Sequence, residues 1–462
     1  MKFRVEEDSL GKVKVPNNAY YGAHTVRAMH HFKINVKFQP HFIKSYALVK
    51  QAAAKANIKT GRLDRKKGSA ILRACKEIAS GRFLDQFPLS VFQQGAGTAT
   101  NMNLNEVIAN RAIQLLGGKK GNYELINPND HVNTSQSTND TFHTTMHVAA
   151  ATLIRKELLP ALHSLEKSFQ RKTKQFSRII KSGRTHLQDA VPLTLGNEFS
   201  GYAAAVSENT ERLEKSVEDL LEVNLGGTAV GTGINAEPKY QKYALQELSR
   251  LSKIKFKPAK NMFAATANMN AVVETSGVLR ELAISLIKIS SDLRLLSSGP
   301  ATGLGEIKLP AVAAGSSIMP GKINPSIPEM VGMVCFEVIG NDTTIANAAE
   351  SGQLELNVFM PVVAYNLLYS IEILAEACKT LDEKCVRGIK ANEKRIREYL
   401  ERNPVIVTAL TPYIGYKKAA EIAKKSYESG KSIREICLEM KLFKEKELNK
   451  ILDPKKLVKS RK

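Results

Sequence analysis

Between Gly315 and Pro325 the chain reads GSSIMPGKINP, a run with little ordinary core-building value. Ser316 and Ser317 offer two hydroxyls, Lys322 an ammonium and Asn324 an amide, a set suited to a small carboxylate ligand. Gly315 and Gly321 allow backbone angles and close approaches that a side chain forbids, and Pro320 and Pro325 limit collapse into helix. A polar surface turn is the ordinary reading of a Gly-Ser-Pro run. The apolar Ile318, Met319 and Ile323 inside the segment argue against it and for a catalytic loop.

Four further blocks carry polar residues in unusual density: QGAGTATNMNLNEVIANRA from Gln94, HVNTSQSTND from His131, GRTHLQDAVPLTLG from Gly183 and GGTAVGTGIN from Gly226. With the first loop they resemble, in order and spacing, the blocks of the fumarase/aspartase superfamily, whose members eliminate across a C–N or C–O bond to release fumarate. The resemblance runs from about Glu6 to the GYKKAAEIA segment at Gly415.

The resemblance implies roles residue by residue. Ser316 matches the general base that removes a proton from the carbon beside a carboxylate. A free serine hydroxyl is too weakly acidic for this, so the N–H groups that follow it and the charge on Lys322 must hold its oxyanion; a serine that merely bonds its own backbone is the plain alternative. Thr98, Ser137, Thr138 and Ser317 match the donors that stabilise the resulting aci-carboxylate, the kind of interaction that supplies the largest single catalytic contribution. Lys322 and Asn324 match the clamp on the second carboxylate. Asn139, Thr185 and His186 match positions facing the leaving group, although a histidine in isolation is more often structural. Glu329 matches a carboxylate that can orient that histidine. No organic cofactor and no metal is implied, and whether a divalent cation activates the enzyme stays open. The implied assembly is a homotetramer whose sites draw on three subunits.

Within the superfamily the flanks NPSIPEMVGMVCFEVIGND, SQSTND with Thr138, GQLELNV from Gly352 and YYGAHTVRA from Tyr20 are similar to aspartases, which release ammonia from L-aspartate. His186, GGTAVGTG and NVFMP are compatible with the alternative, class II fumarate hydratases. Gln94, where aspartases commonly have glycine, and His143, where proline is usual, depart from the pattern beside site blocks. Ammonia leaves an ammonium without needing another proton, whereas hydroxide must be protonated as it departs.

These residues need a scaffold. Leu279, Leu282, Leu286, Ile289, Leu293 and Leu296 alternate spacings of three and four, one stripe of a long helix. Leu158, Leu162, Leu165 and Phe169 repeat the pattern, with Pro160 expected to kink it. Stretches near 191–224, 326–358 and 362–390 are also helix-compatible. The expected fold is mainly α, with a central bundle of long helices. Three domains are expected: a mixed, mainly helical 1–140, a bundle 141–394 and a small helical 395–462. So many apolar stripes call for more than one chain to cover them.

Composition narrows the class. With 462 residues, 43% of them hydrophobic, the chain can bury more than one core. The first residues are already charged, which argues against a secretory signal. The apolar stretch Val358–Leu374 is broken by Pro361, Asn366 and Glu372 and falls short of a membrane span. Five cysteines, scattered without metal-ligand spacing, fit reduced thiols in a cytoplasm. The 67 basic against 45 acidic residues give a net charge of +22, which raises nucleic-acid binding. The basic residues are spread along the chain without a nucleic-acid motif, and the dense tail from Lys455 to Lys462 reads as solvated. A positive field would also draw in a dicarboxylate.

Overall fold

The computed structural model describes residues 2–458 and is mainly helical. The last part of the basic tail, 459–462, lies outside the described residues. Two compact units form, each from three separate stretches of chain: Met1–Pro160 with Glu211–Ala283 and Cys335–Ala375, and Ala161–Thr210 with Ile284–Val334 and Glu376–Lys462.

The first unit opens on an antiparallel hairpin, β1 (Phe3–Asp8) and β2 (Gly11–Pro16), with Phe3 opposite Pro16. Helices α1 (Ala23–His31), α2 (Pro40–Thr60), α3 (Arg65–Ala79), α4 (Thr98–Leu115) and α5 (Thr138–Leu153) follow. Local chemistry sets their ends. Pro40 occupies the first turn of α2, where no N–H is needed, and Gly61 stops it with φ +83°. The Asp64 carboxylate accepts from the N–H groups of Lys66 and Lys67 to start α3. Helix α2 packs against α3 and α5, and its residues Ala47, Val49, Ala52, Ala53 and Ala56 are fully buried. Small side chains there let neighbouring helices approach closely.

Helix α5 widens into a π turn, Ile154–Leu158, before α6 (Leu159–Gln175). The sequence predicts a kink at Pro160; the structure answers with this wider turn. A proline has no N–H for the helical ladder and crowds the carbonyl four residues back, and an enlarged turn relieves both. Leu158, Leu162, Leu165 and Phe169 are all fully buried, as the stripe requires.

In the second unit an antiparallel hairpin, β3 (Ile180–Thr185) and β4 (Gln188–Thr194), leads into α7 (Leu195–Leu220). Helices α8 (Tyr240–Ser252) and α9 (Met262–Ala267) belong to the first unit. The long helices α10 (Asn270–Leu296), α11 (Ser326–Glu350) and α12 (Met360–Lys384) follow. All six residues of the α10 stripe are at most 5% exposed. Each such side chain contributes roughly 1.5–3 kcal/mol of burial. The stretch read as too interrupted for a membrane lies largely in α12, with Val363, Leu367, Leu368, Ile371 and Leu374 buried. No helix among the described residues is long and apolar enough to cross a membrane.

Beyond α12, short helices enclose a small core of their own, built from Val407, Leu410, Ile422, Ile436, Cys437 and Leu448. Helix α11 contrasts with it. Its Met333 and Phe336 are 68% and 63% exposed, on a helix without a lysine or arginine.

Candidate active site

The Ser316 loop, in the second unit, is folded back on itself. The Gly315 N–H donates to the Lys322 carbonyl at 2.9 Å, and the Asn324 side-chain amide donates to the Gly315 carbonyl at 2.7 Å. A Cβ on Gly315 would collide with the Lys322 carbonyl, so the pinch requires glycine. Gly321 turns the chain with φ +80°. Within this pinch the Ser316 Oγ accepts N–H bonds from Ile318 at 3.2 Å and Met319 at 3.0 Å. Two donors aimed at one hydroxyl oxygen are the arrangement that an alkoxide needs. Ser316 is half-buried, whereas Ser317 and Lys322 are exposed, as are Ile318, Met319 and Ile323. One N–H of Asn324 is spent on the loop, which leaves its second N–H and its oxygen for a ligand.

Thr185 and His186 sit at the tip of the β3–β4 hairpin, both exposed. His186 and Leu187 form its two-residue turn with φ +55° and +58°. Both central residues of such a turn are left-handed, which favours Asn-Gly, so a His-Leu pair is strained. Below the tip, the buried Glu306 pairs with Lys181 at 2.9 Å and Arg184 at 2.9 Å. Glu329 lies in the first turn of α11. Among the described residues no hydrogen bond or ion pair joins it to His186.

Thr98, Ser137, Thr138 and Asn139 are assembled in the first unit. Thr98 is the first residue of α4, and its Oγ1 donates to the Gly95 carbonyl at 3.2 Å. Ser137 caps α5: its Oγ accepts from the Asn139 N–H at 3.2 Å, and the Asp140 carboxylate returns to the Ser137 N–H at 2.9 Å. Gly97 lies against the Phe142 ring so closely that a Cβ would not fit. That contact brings the turn before Thr98 onto α5. The GGTAVGTG block joins them, because Asp140 Oδ2 also accepts from Gly226 and Thr228 at 2.9 and 3.1 Å, and the Asn139 amide donates to the Ala229 carbonyl at 2.7 Å. The result is a helix N-terminus rimmed with hydroxyls, favourable for a carboxylate. Thr138 is buried, 8% exposed.

Three residues that brace this helix start were not legible in the sequence. Lys50, in mid-α2, is 1% exposed and donates to Asn133 Oδ1 at 2.9 Å; burial pulls its pKa down to about 7. Asp140 is fully buried, and burial pushes its pKa up to about 6 against the N–H bonds that lower it. Asn133 links the two. A helical lysine reads as a solvated face, and no spacing rule marks it otherwise; Asp140 and Asn133 lie in a quoted block, but nothing in their types showed which way they face. His143, where the sequence departs from its relatives' pattern, is also buried, ring to ring with His147 at 4.7 Å. Burial, then the neighbouring His147, hold its pKa down at about 3.

A cavity of about 1230 Å³ in the second unit, lined in part by Arg178, Asp189, Arg397, Arg402, Arg434 and Lys455, contains none of the candidate residues. Size therefore does not lead to the candidate residues. Among the described residues no group of three or more His, Cys, Asp or Glu side chains could hold a metal ion.

Comparison with known proteins gives the family. Residues 11–340 match the lyase family, and residues 406–459 match the fumarase C C-terminus. An aspartate ammonia-lyase from a Bacillus species is 46% identical over 452 residues, covering 98% of this chain and 96% of the relative. A class II fumarate hydratase from Bradyrhizobium diazoefficiens is 47% identical over 457 residues, covering 99% and 97%. The solved structure of a fumarate lyase:delta crystallin from Brucella melitensis bound to cobalt superposes with a TM-score of 0.95 at 48% identity, covering 99% of this chain and all of that one.

Proposed function

We propose a reaction for this chain on the premise that it belongs to the fumarase/aspartase superfamily of lyases: the reversible elimination of ammonia from L-aspartate to give fumarate. The observation that carries it is the Ser316 hydroxyl oxygen held by the N–H groups of Ile318 and Met319. As an alkoxide so held, Ser316 removes a proton from C3 of aspartate. The C3–H electron pair moves onto the adjacent carboxylate as the aci form. Thr98, Ser137, Thr138 and Ser317 donate to that charge, and Lys322 with Asn324 hold the other carboxylate. The electrons then return to form the double bond, the C–N bond breaks with its pair on nitrogen, and neutral ammonia departs. Asn139, Thr185 and His186 face the amine, with Glu329 orienting His186. No organic cofactor enters any of these steps.

The candidate residues are divided between the two units, and in the second Thr185, His186, Ser317 and Lys322 are exposed while Ser316, Asn324 and Glu329 are half-buried. A homotetramer with sites from three subunits accounts for this, and the exposed face of α11, which carries Met333 and Phe336 and no lysine or arginine, is a surface that such an assembly would cover. The three-domain division at 140 and 394 and a cytoplasmic location belong to the same proposal. A second reading, hydration of fumarate to L-malate, is favoured by fumarate hydratases of similar identity among the relatives and by His186, whose imidazole could protonate departing hydroxide.

The test is ultraviolet absorbance at the fumarate band with L-aspartate or L-malate as substrate. Fumarate from aspartate alone supports the ammonia-lyase; fumarate from malate alone replaces it with the hydratase; none from either would reject both.

A further inference from the structure

The peptide group joining Gln136 to Ser137 is gripped at both ends. Its carbonyl accepts from the Asn133 side-chain amide at 3.3 Å, and its N–H donates to Asp140 Oδ1 at 2.9 Å. Asn133 is in turn fixed by its own oxygen, on which three donors converge: Lys50 Nζ at 2.9 Å, Asn105 at 3.1 Å and Asn101 at 3.3 Å. Asp140 has the matching position on the other side, tying Ser137 to Gly226 and Thr228.

We propose that Lys50, acting through Asn133, and Asp140 are positioning residues that lock the peptide plane leading into Ser137, and so aim the hydroxyls of Ser137 and Thr138 and the amide of Asn139. A lysine that only filled space in α2 would be replaced by leucine or methionine without loss, because a buried ammonium with amides for partners is costly. Here its charge orients an amide dipole that no apolar side chain could hold. The groups facing the pair are Tyr46 of α2, whose ring centroid is 5.6 Å from Lys50 Nζ, Cys75 of α3, and Tyr240 of α8 on the Asp140 side. Asp140 is the carboxylate whose charge acts on Lys50, and the two are linked through Asn133 and the clamped peptide.

This inference rests on the reading that Ser137–Asn139 bind the substrate, and its test separates the two. Lys50→Met, Asp140→Asn, the double variant and the exposed control Lys66→Met would be made in the full chain. Amide hydrogen exchange without ligand should accelerate about tenfold or more across residues 134–139 in Lys50→Met and Asp140→Asn, with the rest of α5 and the thermal midpoint little changed. Lys66→Met, an equal change of charge, should not move it. Fumarate affinity by calorimetry should fall about tenfold in each single variant, and the double variant should lose less than the product of the two losses, since both act on one plane. Unchanged exchange at 134–139 in Lys50→Met overturns the proposal, as does exchange that rises only in step with global destabilisation. If the unaltered protein binds no fumarate, the functional reading fails while the exchange result still decides the clamp.

Discussion

Ser137 and Ser316 are both serines that receive backbone N–H bonds, yet their surroundings are opposites. Ser137 begins a helix, and its peptide is held by half-buried Asn133 and buried Asp140, which tie it to other segments of its unit. Ser316 lies in a loop whose bonds are to itself, beside Ile318 at 82% exposure. The first is organised before anything binds. The second has two N–H groups in place on its hydroxyl oxygen but stands open, and water that competes for the alkoxide proposed there would weaken those donors. A recognition surface can be built from a rigid helix end, whereas a base that must meet substrate has to be reached, then covered.

Removing the proposed base is the sharpest way to break this contrast. Ser316→Ala should lower kcat by about 10³-fold, within the range of lost proton-transfer catalysis, with thermal unfolding and subunit association unchanged. Turnover near the wild-type level would remove Ser316 from the mechanism. Gly315→Ala should come next, at roughly 10²-fold, because the new Cβ meets the Lys322 carbonyl and opens the pinch that aims both N–H groups. Its thermal midpoint should hardly move, since the loop braces only itself; a large drop would show that the loop supports the fold and erase the difference from Ser137.

What the sequence disclosed follows the same division. The α10 stripe and the Leu158–Phe169 stripe were readable because apolar periodicity reports one fact, which face is buried, and both are buried. Pro160 announced a disturbance but not its form, since a kink and a π turn relieve the same clash. The need for glycine at Gly315 was readable from type and order because the loop's bonds are local. The clamp under Ser137 was not. Lys50 and Asn133 are 83 residues apart, and no local rule says that a lysine in mid-helix points inward to an asparagine. Buried polar partnerships between distant segments are fixed by packing, which a single chain's pattern does not encode.

The buried side of the comparison should also be the acid-sensitive one. Burial depresses His143 to about 3 and His147 to about 4, from 6.5 in the unfolded chain. The unfolded state therefore binds more protons than the fold in this window, so stability present above pH 6.5 is lost as pH falls toward 4 and 3. Asp140 and Glu106, raised to about 6 and 7, act in the other direction, so the isolated histidine effect must be read as a difference. His143→Leu should flatten the fall of the unfolding midpoint between pH 6.5 and 4 relative to the wild type. Parallel curves would mean that His143 is not held neutral by the fold.

The smallest effect expected is at the hairpin tip, where strain and function can be separated. Leu187 holds φ +58° with its side chain 72% exposed, so it loses little by removal. Leu187→Gly should relieve the left-handed strain and, after the added freedom of the unfolded chain, leave stability unchanged or higher by at most about 1 kcal/mol. If the tight turn serves to present His186, the same substitution should lower kcat/KM severalfold while the fold is no weaker. Lower stability with full activity would make the His-Leu turn an ordinary structural choice, and the exposed half of the site would then owe nothing to strain.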